Sequence, residues 1–249
     1  MKKILSILAI CVMAVSASAE NVFKILDVPT LDIDRPYFNL SYSEIHGLTA
    51  DKADKDAFFE GALRYYYGYS KRLEIPFPKD YGAAAIWFYE AGKLDHGLAA
   101  YFLGNMYLTS QGVKYNVQDA FWWLEKARSL GIKQASHKLA NLYYESYQLP
   151  NVPETYKMVY LTTTNKYLDE LVADDYAYAK YNKALIMLRT LDMTRFVKRD
   201  ANQLLLESVY GFAELKDRVS AYEALKVMQY YKLDSYTQAE TLFNDTFKG

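Results

Sequence analysis

The chain has 249 residues, of which 51% are hydrophobic, 24% are charged and 16% are aromatic, with 25 tyrosines among them. This composition excludes a disordered chain, because disordered segments lack the apolar and aromatic residues that form a core. Basic and acidic side chains nearly balance, at 29 and 30, so no broad cationic surface is expected to attract nucleic acid or anionic lipid.

The first 19 residues follow the pattern of an export signal. Lys2 and Lys3 form a cationic start, residues 4–15 are an apolar run, and residues 17–19 are the small-residue cleavage sequence Ala-Ser-Ala. The run is shorter than the roughly 20 residues that a membrane-spanning helix needs. We therefore predict cleavage before Glu20 and a mature protein that is periplasmic or secreted, with no membrane insertion after signal cleavage.

Cys11, the only cysteine, lies inside this predicted signal. A retained anchor helix and a lipoprotein signal are the alternatives, the latter because residues 8–11 faintly resemble a lipobox. Ile10 is larger than the residue that normally precedes a lipid-modified cysteine, and the apolar run continues beyond Cys11. Soluble export is therefore favoured, and the mature chain would contain no disulfide.

Residues 20–56 are predicted to form an N-terminal arm or cap. Pro29, Pro36 and Gly47 break any helical period there, and the apolar run at 22–26 is compatible with extended chain. We expect this arm to pack on the first repeat, since a repeat array must cover the apolar end of its stack.

From residue 57 a helical pattern recurs at intervals of about 40 residues. Each copy places its characteristic residues at i, i+4, i+5 and i+8, which share one face of a helix. The four copies are Ala57-x-x-x-Gly61-Ala62-x-x-Tyr65, Ala99-x-x-x-Leu103-Gly104-x-x-Tyr107, Ala135-x-x-x-Leu139-Ala140-x-x-Tyr143 and Ala177-x-x-x-Tyr181-Asn182-x-x-Leu185. The small residues allow a neighbouring helix to approach closely, and the large residue fills the space beside it.

A second helical segment follows each of the first two copies. These segments are Ala84-x-x-Trp87-x-x-x-Ala91 and Ala120-x-x-Trp123-x-x-x-Ala127, and their tryptophans are expected in the core. Weaker segments at 156–168 and 201–213 complete the third and fourth units, and 221–231 with 237–247 make a fifth pair. We therefore predict an all-α fold over residues 57–249, an αα-superhelix or solenoid of about five helix pairs.

The second unit carries an extended motif. Its residues are Ala100-x-x-Leu103-Gly104-x-x-Tyr107, Gly112-Val113-x-x-Asn116 and Ala120-x-x-Trp123-x-x-Lys126-Ala127-x-x-x-Gly131. This motif resembles the Sel-1-like repeat, a relative of the tetratricopeptide repeat. The resemblance implies a superhelix whose inner surface, lined by the first helices, holds a protein or peptide, and it implies no chemistry and no cofactor. Bacterial relatives with export signals look like periplasmic or secreted adaptors.

No catalytic signature is present in the sequence, which lacks a nucleophile elbow, a zinc-protease helix motif and a glycine-rich phosphate loop. His46, His96 and His137 fall in different segments and are interpreted as structural. The acidic cluster at 51–56 lacks the glycine and the distal glutamate of a calcium loop, so a helix start is favoured there. We predict a protein that is not an enzyme, with no catalytic residues, no metal site and no cofactor.

The predicted binding groove is lined by residues beside the packing stripe of the first helices. They are Phe59, Tyr66, Tyr101, Asn105, His137, Asn141, Tyr144 and Lys183. Asn105 and Asn141 occupy equivalent places in successive units. Related tetratricopeptide grooves use asparagine at such places to hydrogen-bond the backbone or terminal carboxylate of an extended peptide, so the resemblance implies that role here. The alternative is that these are ordinary polar surface residues.

These observations favour an exported adaptor that binds a protein or peptide partner in its concave groove. One alternative is a secreted factor that acts on a host or competitor cell, because the signal does not separate periplasmic retention from onward secretion. Another is a periplasmic hydrolase of cell-wall or β-lactam-like substrates, which is disfavoured because no nucleophile and base can be paired in the sequence. Nucleic acid is not an expected partner.

Overall fold

The computed structural model describes residue 26 and residues 33–68 and 78–248. All regular secondary structure in these ranges is helical, which confirms the all-α prediction for them. The helices are α1 (Tyr42–Lys52), α2 (Lys55–Tyr67), α3 (Tyr81–Lys93), α4 (Gly97–Thr109), α5 (Val117–Ser129), α6 (Lys133–Tyr147), α7 (Glu154–Ala173), α8 (Ala177–Thr190), α9 (Arg195–Glu214), α10 (Arg218–Tyr230) and α11 (Tyr236–Thr246). The predicted signal at 1–19 lies outside the described residues.

The chain divides into two compact units. Of the described residues, unit 1 contains 33–68 and 78–139, whereas unit 2 contains residue 26 and 140–248. The division falls inside helix α6. Residue 26 therefore groups with the C-terminal helices and not with the arm residues that follow it in the sequence.

Side-chain caps fix where the helices of unit 1 begin. Asp54 Oδ1 accepts hydrogen bonds from the backbone N–H groups of Asp56, at 2.9 Å, and Ala57, at 3.0 Å. Asp80 caps α3 in the same manner, and Asn116 caps α5. Such caps satisfy N–H groups that have no partner within the helix. The interpretation of the acidic cluster as a helix start is thus confirmed at Asp54.

Helix α1 corrects the expectation that no helical period survives in the arm. Residues 42–52 are helical in spite of Gly47 because Ser41 and Glu44 form a capping box. Ser41 N–H donates to Glu44 Oε2 at 2.6 Å, and Glu44 N–H donates to Ser41 Oγ at 3.3 Å. These reciprocal bonds stabilise the first turn, and the buried side chain of Ile45 anchors the helix in unit 1.

Close approach of small residues and tryptophans holds the helix pairs of unit 1 together. A Cβ atom added to Gly61 would lie 2.3 Å from the Trp87 ring, and one added to Gly92 would lie 2.7 Å from Trp123. Trp123 is buried, as predicted, and Trp87 is half-buried. The predicted role of the small residues of the first helices, to admit a neighbouring helix, is confirmed at Gly61.

A buried ion cluster attaches the arm to α2. Glu60 and Arg64 are each 2% exposed, and Arg64 Nε donates to Glu60 Oε1 at 2.7 Å. Arg35 makes a two-pronged contact with the same carboxylate, at 2.8 and 2.9 Å. Arg64 Nη2 also donates to the carbonyl oxygens of Tyr37 and Leu40, at 3.1 and 2.8 Å. Each charge is therefore paired and hydrogen-bonded, as buried charges require.

One hydrophobic cluster of unit 2 is formed by the last four helices. Tyr181, Val209 and Met228 contribute fully buried side chains to one cluster. Gly211 allows α9 to approach α8, since a Cβ atom there would lie 2.6 Å from the Cβ of Ala177. The side chain of Leu26 packs against this cluster from outside the helical part of the chain.

Candidate peptide-binding groove

Two asparagines of unit 2 form the candidate site, and each lies on the first helix of its helix pair. Asn141 lies on α6 and Asn182 lies on α8, and the side chain of Asn182 donates to Asn141 Oδ1 through Nδ2 at 3.1 Å. Asn182 is 0% exposed and Asn141 is 7% exposed. Neither amide can be satisfied by bulk water at such burial, so each needs a partner within the protein.

The backbone of Leu26 supplies that partner. Its N–H donates to Asn182 Oδ1 at 2.8 Å. Its carbonyl oxygen accepts from Asn182 Nδ2 at 2.9 Å and from Asn141 Nδ2 at 3.0 Å. One residue thus has both backbone polar groups bound by uncharged side-chain amides, an arrangement that recognises polypeptide backbone and is indifferent to the side chain beyond it. We call Asn141 and Asn182 the amide clamp.

The side chain of Leu26 gives the contact an apolar component. It is partly buried and packs against the core cluster of α8 to α11. Burial of a leucine side chain contributes about 1.5–3 kcal/mol when it is complete, so a half-buried leucine adds a fraction of that. The site therefore combines backbone hydrogen bonds with a seat for an apolar residue.

The three predicted groove residues of unit 2 lie in different surroundings. Asn141 belongs to the amide clamp. Tyr144 is buried and stacked on Tyr147, with ring centroids 5.7 Å apart, and burial raises the pKa of its hydroxyl. Lys183 forms an ion pair with Asp169, and burial lowers the pKa of its ammonium group. Of these three predicted residues, Asn141 is the one that is seen to hydrogen-bond to the backbone of Leu26.

The model of the Sel1 repeat matches the chain twice, at residues 61–96 and 97–132. The chain carries two Sel1 repeats. The resemblance predicted from the second unit is confirmed, and the first repeat covers the second half of α2 and all of α3. Sel1 repeats generally mediate protein–protein interactions.

Two solved structures are similar to this chain, and the first of them supports the same fold. A protective antigen of uropathogenic Escherichia coli with a Sel1-like repeat fold is 18% identical and covers 84% of this chain and 49% of its own, with a TM-score of 0.55. A Sel1 repeat protein from Oxalobacter formigenes is 16% identical and covers 76% of this chain and 57% of its own, with a TM-score of 0.46. The chain thus spans about half the length of these proteins. No curated protein sequence matches it.

Most of the predicted groove residues of unit 1 lie within the two Sel1 repeats, but they do not form a second amide clamp. Tyr101 is buried, and the amide of Asn105 donates to its carbonyl oxygen at 2.9 Å, within helix α4. Tyr66 donates its hydroxyl to Gln111 Oε1 at 2.9 Å. Their role in binding stays a prediction.

Two further predicted residues are enclosed by unit 1. Phe59 is buried and stacks on the imidazole of His96, with ring centroids 4.1 Å apart. His137, which follows the second Sel1 repeat, has no exposed surface. These placements make Phe59 and His137 part of the packing between helices in this structure.

Sequence reasoning missed Asn182. The repeat register makes Lys183 the equivalent of Asn141, whereas Asn182 falls at the position that holds Ala62, Gly104 and Ala140 in the other copies. A polar amide at a position that is small and buried elsewhere was the available signal. Such an amide needs hydrogen-bond partners, and its partners turn out to be Asn141 and the backbone of Leu26.

The histidines of unit 1 have structural contacts. His96 caps α4, because its Nδ1 accepts from the N–H of Ala99 at 3.1 Å, and burial lowers its pKa. His46 lies between the rings of Tyr42 and Trp87, at 4.0 and 4.9 Å. Across the described ranges, no group of three His, Cys, Asp or Glu side chains is arranged to hold a metal ion. No helix in the same ranges is long and apolar enough to cross a membrane.

An open pocket of about 480 Å³ lies in the second Sel1 repeat. It is lined by Tyr107, Val113, Lys114, Tyr115, Asn116 and Asp119. Asn116 Oδ1 accepts from two N–H groups of α5, and its Nδ2 donates to Asp119 Oδ2. Asn116 and Asp119 therefore serve the start of helix α5 in this pocket.

Proposed function

We propose that the protein is a non-catalytic adaptor that acts after export and binds an extended segment of a partner polypeptide through the amide clamp. The main observation behind the proposal is that Asn141 and Asn182 hydrogen-bond to both the N–H and the C=O group of Leu26. The general interaction role of Sel1 repeats supports it. Export rests on the signal pattern of residues 1–19.

The chemistry of the clamp suits a protein partner. Amide side chains offer one acceptor and two donors without charge, which matches the alternating N–H and C=O groups of an extended chain. Three hydrogen bonds join the clamp to the backbone of Leu26, and each contributes about 1 kcal/mol net. Their sum of about 3 kcal/mol corresponds to roughly a 150-fold change in affinity.

Affinity capture from an envelope extract tests the binding role. The bait proteins are the wild type, the double variant Asn141→Ala with Asn182→Ala, and the matched control Gln203→Ala, whose exposed amide hydrogen-bonds to Glu207 within its own helix. We expect the control to retain the wild-type partners and the double variant to lose them, provided that both keep the helical circular dichroism of the wild type. Identical partner lists for all three would remove the clamp from the proposed function.

The location is tested by fractionating cells and sequencing the N-terminus of the purified protein. We expect a periplasmic protein that begins at Glu20. A protein found only in the culture medium would favour the secreted factor over the periplasmic adaptor, and a protein that keeps Met1 in the cytoplasm would overturn export.

A further inference from the structure

Exposed apolar side chains gather where α8 ends and α9 begins, in residues 191–200, which we call the α8–α9 junction. Leu191, Met193 and Phe196 are 48%, 42% and 69% exposed. Three large apolar side chains so close together in the sequence and so open to water indicate a contact surface. We propose that this junction attaches the protein to an anionic phospholipid surface, with its apolar side chains inserted among the lipids and its basic side chains at the headgroups.

The backbone holds the α8–α9 junction in shape. Thr194 N–H donates to the carbonyl oxygen of Asp192 at 2.7 Å, which closes a tight turn. Thr194 Oγ1 accepts from the N–H of Val197 at 3.2 Å and caps α9. Phe196 therefore lies in the first turn of a capped helix with its ring largely in water, and docking does not require the junction to refold.

Charge identifies an anionic surface as the occupant. Arg195 and Lys198 are exposed, and their side chains form no ion pair with any described residue. Arg199, by contrast, pairs with Asp200 at 2.7 Å and lies 5.5 Å from the centroid of the Phe196 ring. The junction carries three basic and two acidic side chains, so its net charge is positive. Basic residues beside exposed apolar ones complement the negative headgroups and the acyl chains of an anionic bilayer.

The other end of α9 provides a comparison within the same molecule. Residues 214–223, which we call the α9–α10 junction, expose Leu215, Val219 and Tyr222 to a similar extent. They carry two basic and three acidic side chains, so their net charge is negative. Helix α9 has 20 residues, which places the two junctions about 30 Å apart. The two junctions thus share apolar exposure and differ in charge, and the α8–α9 junction is the one that complements anionic lipid.

The attraction is local, because basic and acidic side chains nearly balance over the whole chain. One basic residue close to an anionic surface strengthens binding about fivefold, so Arg195 and Lys198 together contribute about 25-fold. Insertion of the Phe196 ring contributes about tenfold or more. Neither contribution uses Asn141 or Asn182, so the inference goes beyond the proposed function and stands apart from it.

Co-sedimentation of the purified protein with lipid vesicles tests the inference. The probes are vesicles of equimolar phosphatidylglycerol and phosphatidylcholine, and vesicles of phosphatidylcholine alone. We expect the wild type to bind the anionic vesicles more tightly, and this preference to shrink in about 1 M salt, where the Debye length is about 3 Å. The variant Arg195→Gln with Lys198→Gln should bind the anionic vesicles about 25-fold more weakly, and Phe196→Ser about tenfold more weakly.

The matched controls lie in the α9–α10 junction. Lys216→Gln with Arg218→Gln removes the same charge from exposed positions, and Val219→Ser removes an exposed apolar side chain. We expect both controls to bind anionic vesicles as the wild type does, and circular dichroism checks that every variant keeps its helices.

A wild type that does not bind anionic vesicles would overturn the inference, as would losses of equal size in the controls. Capture of a protein through the α8–α9 junction without vesicle binding would also overturn it, because the occupant would then not be lipid. These failures leave partner capture by the amide clamp intact.

Discussion

Replacing Glu60 with glutamine tests the buried ion cluster that joins the arm to α2. Glu60 accepts from Arg64 Nε at 2.7 Å and from Arg35 at 2.8 and 2.9 Å. Glutamine has a similar shape but no charge, and it removes one of the two acceptor oxygens. The substitution therefore leaves the guanidinium of Arg64, which is 2% exposed, without its carboxylate.

The expected loss is about 3 kcal/mol in the free energy of unfolding. Removing one partner of a buried ion pair costs about 3–5 kcal/mol, because the other charge stays buried without compensation. The lower figure applies here because Arg64 keeps its bonds to the carbonyl oxygens of the arm and Arg35 is 22% exposed. Urea unfolding followed by circular dichroism measures the loss.

The matched control is Glu90→Gln, which breaks the exposed pair of Glu90 with Lys93. Exposed pairs contribute about 0–1 kcal/mol, so the control should unfold close to the wild type. A Glu60→Gln protein within about 1 kcal/mol of the wild type would refute the reasoning. So would a loss of the same size in the control, because it would show that burial does not set the magnitude.

Three other predictions concern unit 1. Adding a methyl group with Gly92→Ala should lower the free energy of unfolding by about 1–3 kcal/mol, because its Cβ would lie 2.7 Å from the Trp123 ring. At Gly47 an added Cβ atom would meet nothing within 4 Å, so Gly47→Ala should instead stabilise helix α1 by about 0.5–1 kcal/mol. Shifts of the urea midpoint in the same direction for the two variants would contradict this. Burial holds the pKa of His96 below its usual value, with Asp56 opposing the effect, so its neutral form stabilises the fold above about pH 6.5 and this stability is lost as the pH falls toward the lowered pKa. Urea midpoints at pH 7.5 and pH 5 should therefore differ less for His96→Asn, which retains a capping side chain, than for the wild type.

The helices could be predicted from the sequence because local periodicity determines them. The recurring small residues and tryptophans placed α2 to α5 correctly, and the close contact of Gly61 with Trp87 follows from their helical spacing. Helix α1 is not predicted by the helical period because Gly47 interrupts it, whereas Ser41 and Glu44 form the capping box that begins the helix. That capping box was visible in the sequence and outweighs one glycine, which costs about 1 kcal/mol in a helix interior.

The amide clamp could be predicted only in part. Asn141 was assigned to the groove from its register in the repeat, but the same register assigned Lys183, one residue away from Asn182. Local periodicity says which residues share a helix face, and it carries no information about a segment 156 residues earlier in the chain. Leu26 belongs to the apolar run at 22–26, and nothing in the composition of that run identifies Asn141 and Asn182 as the partners of Leu26.

Asn182 illustrates how a repeat position can change from packing to binding. At the equivalent position of the second Sel1 repeat, Gly104 lets Leu124 approach so closely that a Cβ atom would lie 2.8 Å away. An asparagine is larger and cannot be buried without hydrogen bonds, since an unsatisfied amide costs about 1–3 kcal/mol. The fold satisfies it with Asn141 and with the backbone of Leu26. A single asparagine in a packing stripe therefore needs hydrogen-bond partners from elsewhere in the chain, and Leu26 supplies them from 156 residues away.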